Sequence, residues 1–102
     1  MVYCCYLYEG RTGMAEVRKR ITFHGRVQGV GFRFTAKCMA RSLGLAGWVK
    51  NEWDGTVLME VQGREPMIDK LLVGLNRNQF IQIEWLDTEV IPLDTEQGFE
   101  AR

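Results

Sequence analysis

The sequence predicts an α+β sandwich, with two helices on one face of an antiparallel sheet and the element order βαββαβ plus a short fifth strand. Two observations predict it. Apolar residues alternate with period two in some stretches and recur at helical spacing in two others, and each helical stretch lies between strands rather than beside the other helix. The chain has 102 residues, 46% hydrophobic and 25% charged, which suits one globular core and argues against two.

The first strand is Arg18 to His24, where Ile21 and Phe23 face one way and Arg20, Thr22 and His24 the other. A glycine-rich loop follows. From Phe32 to Leu43 the positions Phe32, Ala36, Met39, Ala40 and Leu43 form a helical stripe, with Arg33, Lys37 and Arg41 off it and Gly44 placed to end the helix. The string LAGWVKN is the second strand. EWDG is a hairpin connection whose turn is Asp54-Gly55, and TVLMEVQG returns with Val57, Met59 and Val61 inward. Glu65-Pro66 opens the second helix, because proline suits a first helical position; Ile68, Leu71, Leu72 and Leu75 line one face, and Gly74 weakens it. IQIEW alternates as the next strand, with Ile81, Ile83 and Trp85 inside, and GFEAR forms the last after a loop through Pro92.

Residues 1–13 share no period with the rest. They are expected to be a flexible extension, leaving 14–102 as the domain, although Tyr3, Tyr6 and Tyr8 would also suit an extra edge strand. Cys4, Cys5 and Cys38 are odd in number and lack paired spacing, which argues against a disulfide framework or a metal site. No apolar run reaches membrane-spanning length and the start lacks a secretory pattern, so the expected setting is the cytoplasm, with no membrane partner.

Formal net charge is zero, but residues 1–50 carry nine Lys or Arg against two Asp or Glu, and residues 51–102 carry four against eleven. The basic half contains the loop GRVQGVGFRF. Its basic residues are scattered rather than clustered, which favours a small anionic ligand over a nucleic acid. Between Gly25 and Gly31 no proline interrupts the supply of N–H donors, and the glycines permit turns that point them inward. A helix beginning at Phe32 adds its positive end, and Arg33 adds a fork of donors suited to phosphate or carboxylate oxygens. Taken alone, the glycines are also those of a plain strand-to-helix turn. Nucleotide fingerprints are absent: there is no G-x-x-x-x-G-K-[ST], and Gly29-Val30-Gly31 lacks a third glycine. The βαβ crossover makes the first two strands parallel, so Gly25 and Asn51 are expected at one edge of the sheet, beside the helix N-terminus.

GRVQGVGFR together with GWVKN resembles the two signature segments of the acylphosphatase family, and the resemblance runs from Arg18 to the C-terminus in the same element order. It implies a ferredoxin-like α/β sandwich and hydrolysis of the carboxyl-phosphate bond of a small acyl phosphate, without metal or cofactor. It further implies that the loop Gly25, Arg26, Val27, Gln28, Gly29, Val30 and Gly31 wraps the phosphate. Arg33 would anchor it, and Asn51 would orient the attacking water. A monomer is expected. His24, the only histidine, shares a strand face with Arg20 and Thr22 and is not given a direct role. Gln28 could brace the loop rather than touch substrate. Glu52 and Asp54 would place negative charge near a dianion, and Ala101 is small for a core position of the final strand.

A second class of function is a non-catalytic module of the same fold, binding a phosphate-containing ligand or single-stranded RNA. Such RNA-binding domains stack bases on aromatics of a central strand. Here Phe32 and Phe34 fall at a strand-to-helix transition, and Phe32 lies on the buried stripe, which argues for the hydrolase.

Overall fold

The computed structural model describes residues 15–102, and the expected extension over residues 1–13 lies outside that range. Its elements are β1 (Glu16–Arg26), α1 (Phe32–Ser42), β2 (Ala46–Asn51), β3 (Val57–Arg64), α2 (Glu65–Asn76), β4 (Gln82–Ile91) and β5 (Phe99–Ala101). The strands form one sheet in the order β4-β1-β3-β2-β5. β3 runs antiparallel to both β1 and β2, and β4 antiparallel to β1, while β5 joins β2 in parallel and makes the sheet mixed.

This topology positions the site. Val57, near the start of β3, pairs with Phe23 on one side and with Asn51 on the other. The ends of β1 and β2 therefore lie at the same edge, two strand spacings apart, or roughly 10 Å. The β1–α1 loop, the β2–β3 hairpin and the end of β5 all gather there.

The helices cover one face. Ala36 and Ala40 of α1 and Ile68, Leu71 and Leu75 of α2 are buried against Ile21, Phe23, Val49, Val57, Met59, Val61 and Phe99. Leu72 packs at the margin of this cluster. Gly74 leaves room for a neighbour: a Cβ there would take the place of the Met39 methyl, the end of a flexible side chain of α1. Phe99 fills the core position of the last strand, whereas Ala101 is exposed.

The expectation for β4 needs correction. The strand extends to Ile91 because β1 starts at Glu16 and supplies partners as far as Arg18, which pairs with Ile91. Trp85 does not point inward; it is 55% exposed. His24 pairs with Trp85 and Gly25 with Ile83, so Glu84 is an extra residue in a β-bulge. One inserted residue reverses the facing of everything beyond it. Ile81 and Ile83 keep to the core side, while Trp85 stacks on the His24 ring at 4.4 Å on the face without helices.

That other face carries polar groups. Arg18, only 2% exposed, donates to Glu60, Gln62 and Glu96, and Arg20 donates to the second oxygen of Glu60. Among the described residues no helix is long and apolar enough to cross a membrane.

Candidate active site

Phe32 fixes where α1 begins. Its ring is buried against Phe23, with centroids 4.8 Å apart, so the next residue, Arg33, is held at the helix start and faces outward. Gly31 is the N-cap in the left-handed region (φ 78°), no side chain caps the helix, and its first turn contains no acidic residue. The first N–H groups of α1 thus lack intrahelical acceptors, and the helix dipole there is uncompensated. A cation at a helix N-terminus is unfavourable by about 0.3–1 kcal/mol. The helix end itself gives Arg33 no stabilising reason to stand there unless an anion arrives.

The glycines of the loop serve two purposes. Gly25 lies within β1 beside the bulge, and a Cβ on it would overlap the Gln82 carbonyl oxygen and the Glu84 nitrogen of β4. Gly29 and Gly31 also have positive φ (75° and 78°), yet nothing lies within 4 Å of where their Cβ atoms would be. Those two glycines border open space.

That space is a cavity of about 360 Å³ lined by Val27, Gly29, Gly31, Phe32, Arg33 and Phe34, with Lys37, Asn51 and Ala101 completing it. Arg33 and Asn51 therefore share one cavity with the loop. The other sequence-predicted residues stand outside its lining: Gly25 and Arg26 end β1, Val30 packs against the core, and Gln28 reaches away. The Gln28 side-chain amide donates to the carbonyls of Glu52 and Thr56 at 2.7 and 2.8 Å. It ties the loop to the hairpin that follows Asn51, the bracing alternative that the sequence left open beside substrate binding.

Arg33 Nη1 donates to the carbonyl oxygen of Arg102 at 2.8 Å. Arg102 is itself anchored, its N–H on the Val49 carbonyl and its guanidinium 4.7 Å from the centre of the Trp48 ring. The end of β5 thus steadies the arginine. Glu52 contacts Lys50 at 3.5 Å, and Asp54 accepts from the Thr56 N–H and hydroxyl; neither lines the cavity. The Thr56 hydroxyl, and next its N–H, hold the Asp54 carboxyl below its ordinary pKa. The two carboxylates expected beside the site are therefore engaged elsewhere, Glu52 with Lys50 and Asp54 within the turn. His24 pairs with Asp87 at 2.9 Å and is no part of the cavity.

Sequence reasoning missed Lys37 and Ala101 and left Phe34 without a role. A signal for Lys37 was present: it stands four residues after Arg33, on the same side of the helix. Among the described residues there is no group of three His, Cys, Asp or Glu side chains placed to hold a metal ion.

The acylphosphatase family model matches residues 19–101. The chain belongs to the acylphosphatase family. Its class is accordingly that of a hydrolase. It is 44% identical over 82 residues to an acylphosphatase of Clostridium perfringens strain 13, covering 79% of this chain and 92% of that one. Among solved structures, the acylphosphatase from Bacillus subtilis superposes with a TM-score of 0.79 at 31% identity, covering 84% of this chain and 98% of that one. An acylphosphatase from Coxiella burnetii gives a TM-score of 0.79 at 28% identity, over 94% of this chain and all of the other. The ferredoxin-like α+β arrangement is common to them.

Proposed function

We propose that the protein hydrolyses acyl phosphates, with the phosphoryl group seated between the Val27–Gly31 loop, the N-terminus of α1 and Arg33, and the water oriented by Asn51. The observation that carries this reading is the single cavity lined by Gly29, Gly31, Arg33 and Asn51.

The chemistry asks little of acid-base groups. An acyl phosphate is a mixed anhydride whose leaving group is a carboxylate, already stable as an anion. Water oxygen bonds to phosphorus as the bond from phosphorus to the acyl oxygen breaks; the carboxylate departs with that electron pair, and the water proton passes to a phosphoryl oxygen. Catalysis then consists of holding the reactants in line and stabilising charge on the equatorial oxygens. Backbone N–H groups and a guanidinium do the second. The Asn51 amide, as an acceptor to water hydrogen, does the first from the facing strand end. Gln28 acts through the backbone, holding loop and hairpin at a fixed separation.

The test is continuous assay of benzoyl phosphate hydrolysis. Asn51→Ala is expected to lose roughly a hundredfold to a thousandfold in kcat while folding normally. Near-wild-type turnover in that variant would remove Asn51 from the mechanism, and wild-type activity that vanished with chelator would require a metal in it.

A further inference from the structure

Lys37 is the cation the phosphoryl reading leaves over. It lines the cavity one helical turn beyond Arg33 and is only half exposed. Other half-buried or buried basic side chains have carboxylate partners: Lys19 meets Glu65 at 2.8 Å, Lys50 meets Glu52 at 3.5 Å, and Arg18 meets Glu60 and Glu96. Among the described residues Lys37 meets no carboxylate, and no acidic residue is among those that line the cavity. A lysine in the wall of a cavity whose lining holds no counter-charge is itself a statement about the ligand.

The size of the cavity points the same way. Its 360 Å³ is roughly twelve water volumes, far more than the four heavy atoms of a phosphoryl group need. Val27, Phe32, Phe34 and Ala101 contribute apolar surface to the remainder. Residues four apart on a helix are separated by about 6 Å along its axis, a span comparable to a short dicarboxylic acid.

Resting on the hydrolase reading above, we infer that Lys37 is a specificity residue that receives a second anion, a carboxylate or phosphate at the far end of the acyl group. The favoured substrates are then acyl phosphates whose acyl chain ends in an anion, rather than neutral ones.

The experiment compares kcat/KM for succinyl phosphate and for butyryl phosphate, which has a chain of the same length without the second carboxylate. In the wild type the ratio is expected to favour succinyl phosphate about threefold to tenfold, residing in KM and shrinking as salt is added. Lys37→Met brings the ratio to about one, and Lys37→Arg keeps it. A wild-type ratio of one, or equal losses on both substrates in Lys37→Met with the ratio unchanged, overturns the inference; the second result would assign Lys37 to the phosphoryl group. Should Lys37→Met fail to fold, the wild-type ratio and its salt dependence decide alone. Absence of hydrolysis of either substrate would sink the hydrolase reading instead, so the two failures are distinct.

Discussion

Arg18 is 2% exposed and donates to Glu60, Gln62 and Glu96, whereas Arg33 is exposed and, among the described residues, donates to one main-chain carbonyl. Burial works against the charge of Arg18, but its hydrogen bonds to Glu96 and Glu60 outweigh that and raise its pKa above the ordinary value. Its donors are spent on the fold. Arg33 instead lines a cavity that has no acidic residue in its wall, at a helix end where a cation is disfavoured. The same side chain is structural where acceptors surround it and available for chemistry where they are missing. Residue type does not separate the two; the acceptors do.

Four measurements would break or sharpen this contrast. The largest effect is expected for Arg33→Ala, which should reduce benzoyl phosphate turnover roughly a hundredfold to a thousandfold while moving the melting temperature little. A variant that lost stability but retained turnover would exchange the roles of the two arginines. Next, Arg18→Met should do the reverse, destabilising by about 2–3 kcal/mol because the half-buried carboxylates of Glu60 and Glu96 lose a partner. Calorimetry should register a drop on the order of 10 °C, with kcat retained in the folded fraction.

Between these lies Gln28→Leu. It removes two hydrogen bonds worth about 1 kcal/mol each and frees the loop from the hairpin. Turnover is expected to fall about tenfold, with hydrogen exchange at Glu52 to Thr56 accelerating; unchanged exchange would mean the brace is redundant.

The smallest effect is a pH dependence. Burial would raise the Glu60 pKa, but the hydrogen bonds from Arg18 and then Arg20 bring it below the usual carboxylate value. Because the folded value is depressed, the stabilisation is complete above the unfolded value of about 4.3 and is lost as pH falls through the lower folded one. Acid denaturation followed from pH 6 to 2 should show this limb in the wild type. Glu60→Gln should flatten it; an identical acid limb in the variant would assign the loss to other carboxylates.

Much of the fold was legible because periodicity is local. Ile21 and Phe23, or Ile68, Leu71 and Leu75, declare their faces within one element, and the structure buries them. Trp85 was misread because the bulge at Glu84 arises from how β4 meets β1, and no pattern inside IQIEW encodes it. Arg18 marked only the start of a strand in the sequence, because its partners Glu60 and Glu96 lie far along the chain. In the site, Arg33 and Asn51 were brought together on paper by the βαβ crossover, a rule of topology that strand order alone supplies. Ala101 was not, since a cavity wall is defined by volumes that only assembled backbone can show, and the spacing of Lys37 from Arg33 marked a shared side of the helix but not a shared cavity.

The division among the loop glycines has a consequence for how this segment can vary under selection. At residue 25 the neighbouring strand leaves no room for a Cβ, so any replacement is lost in a screen for folding alone. At residues 29 and 31 space is open, and a larger residue costs only the left-handed backbone, about 1–2 kcal/mol. Variants there would pass the folding screen and be removed by one for turnover. Three letters that look alike in GRVQGVGFRF would thus carry two different signatures of constraint, and the round of selection that depletes each would tell them apart.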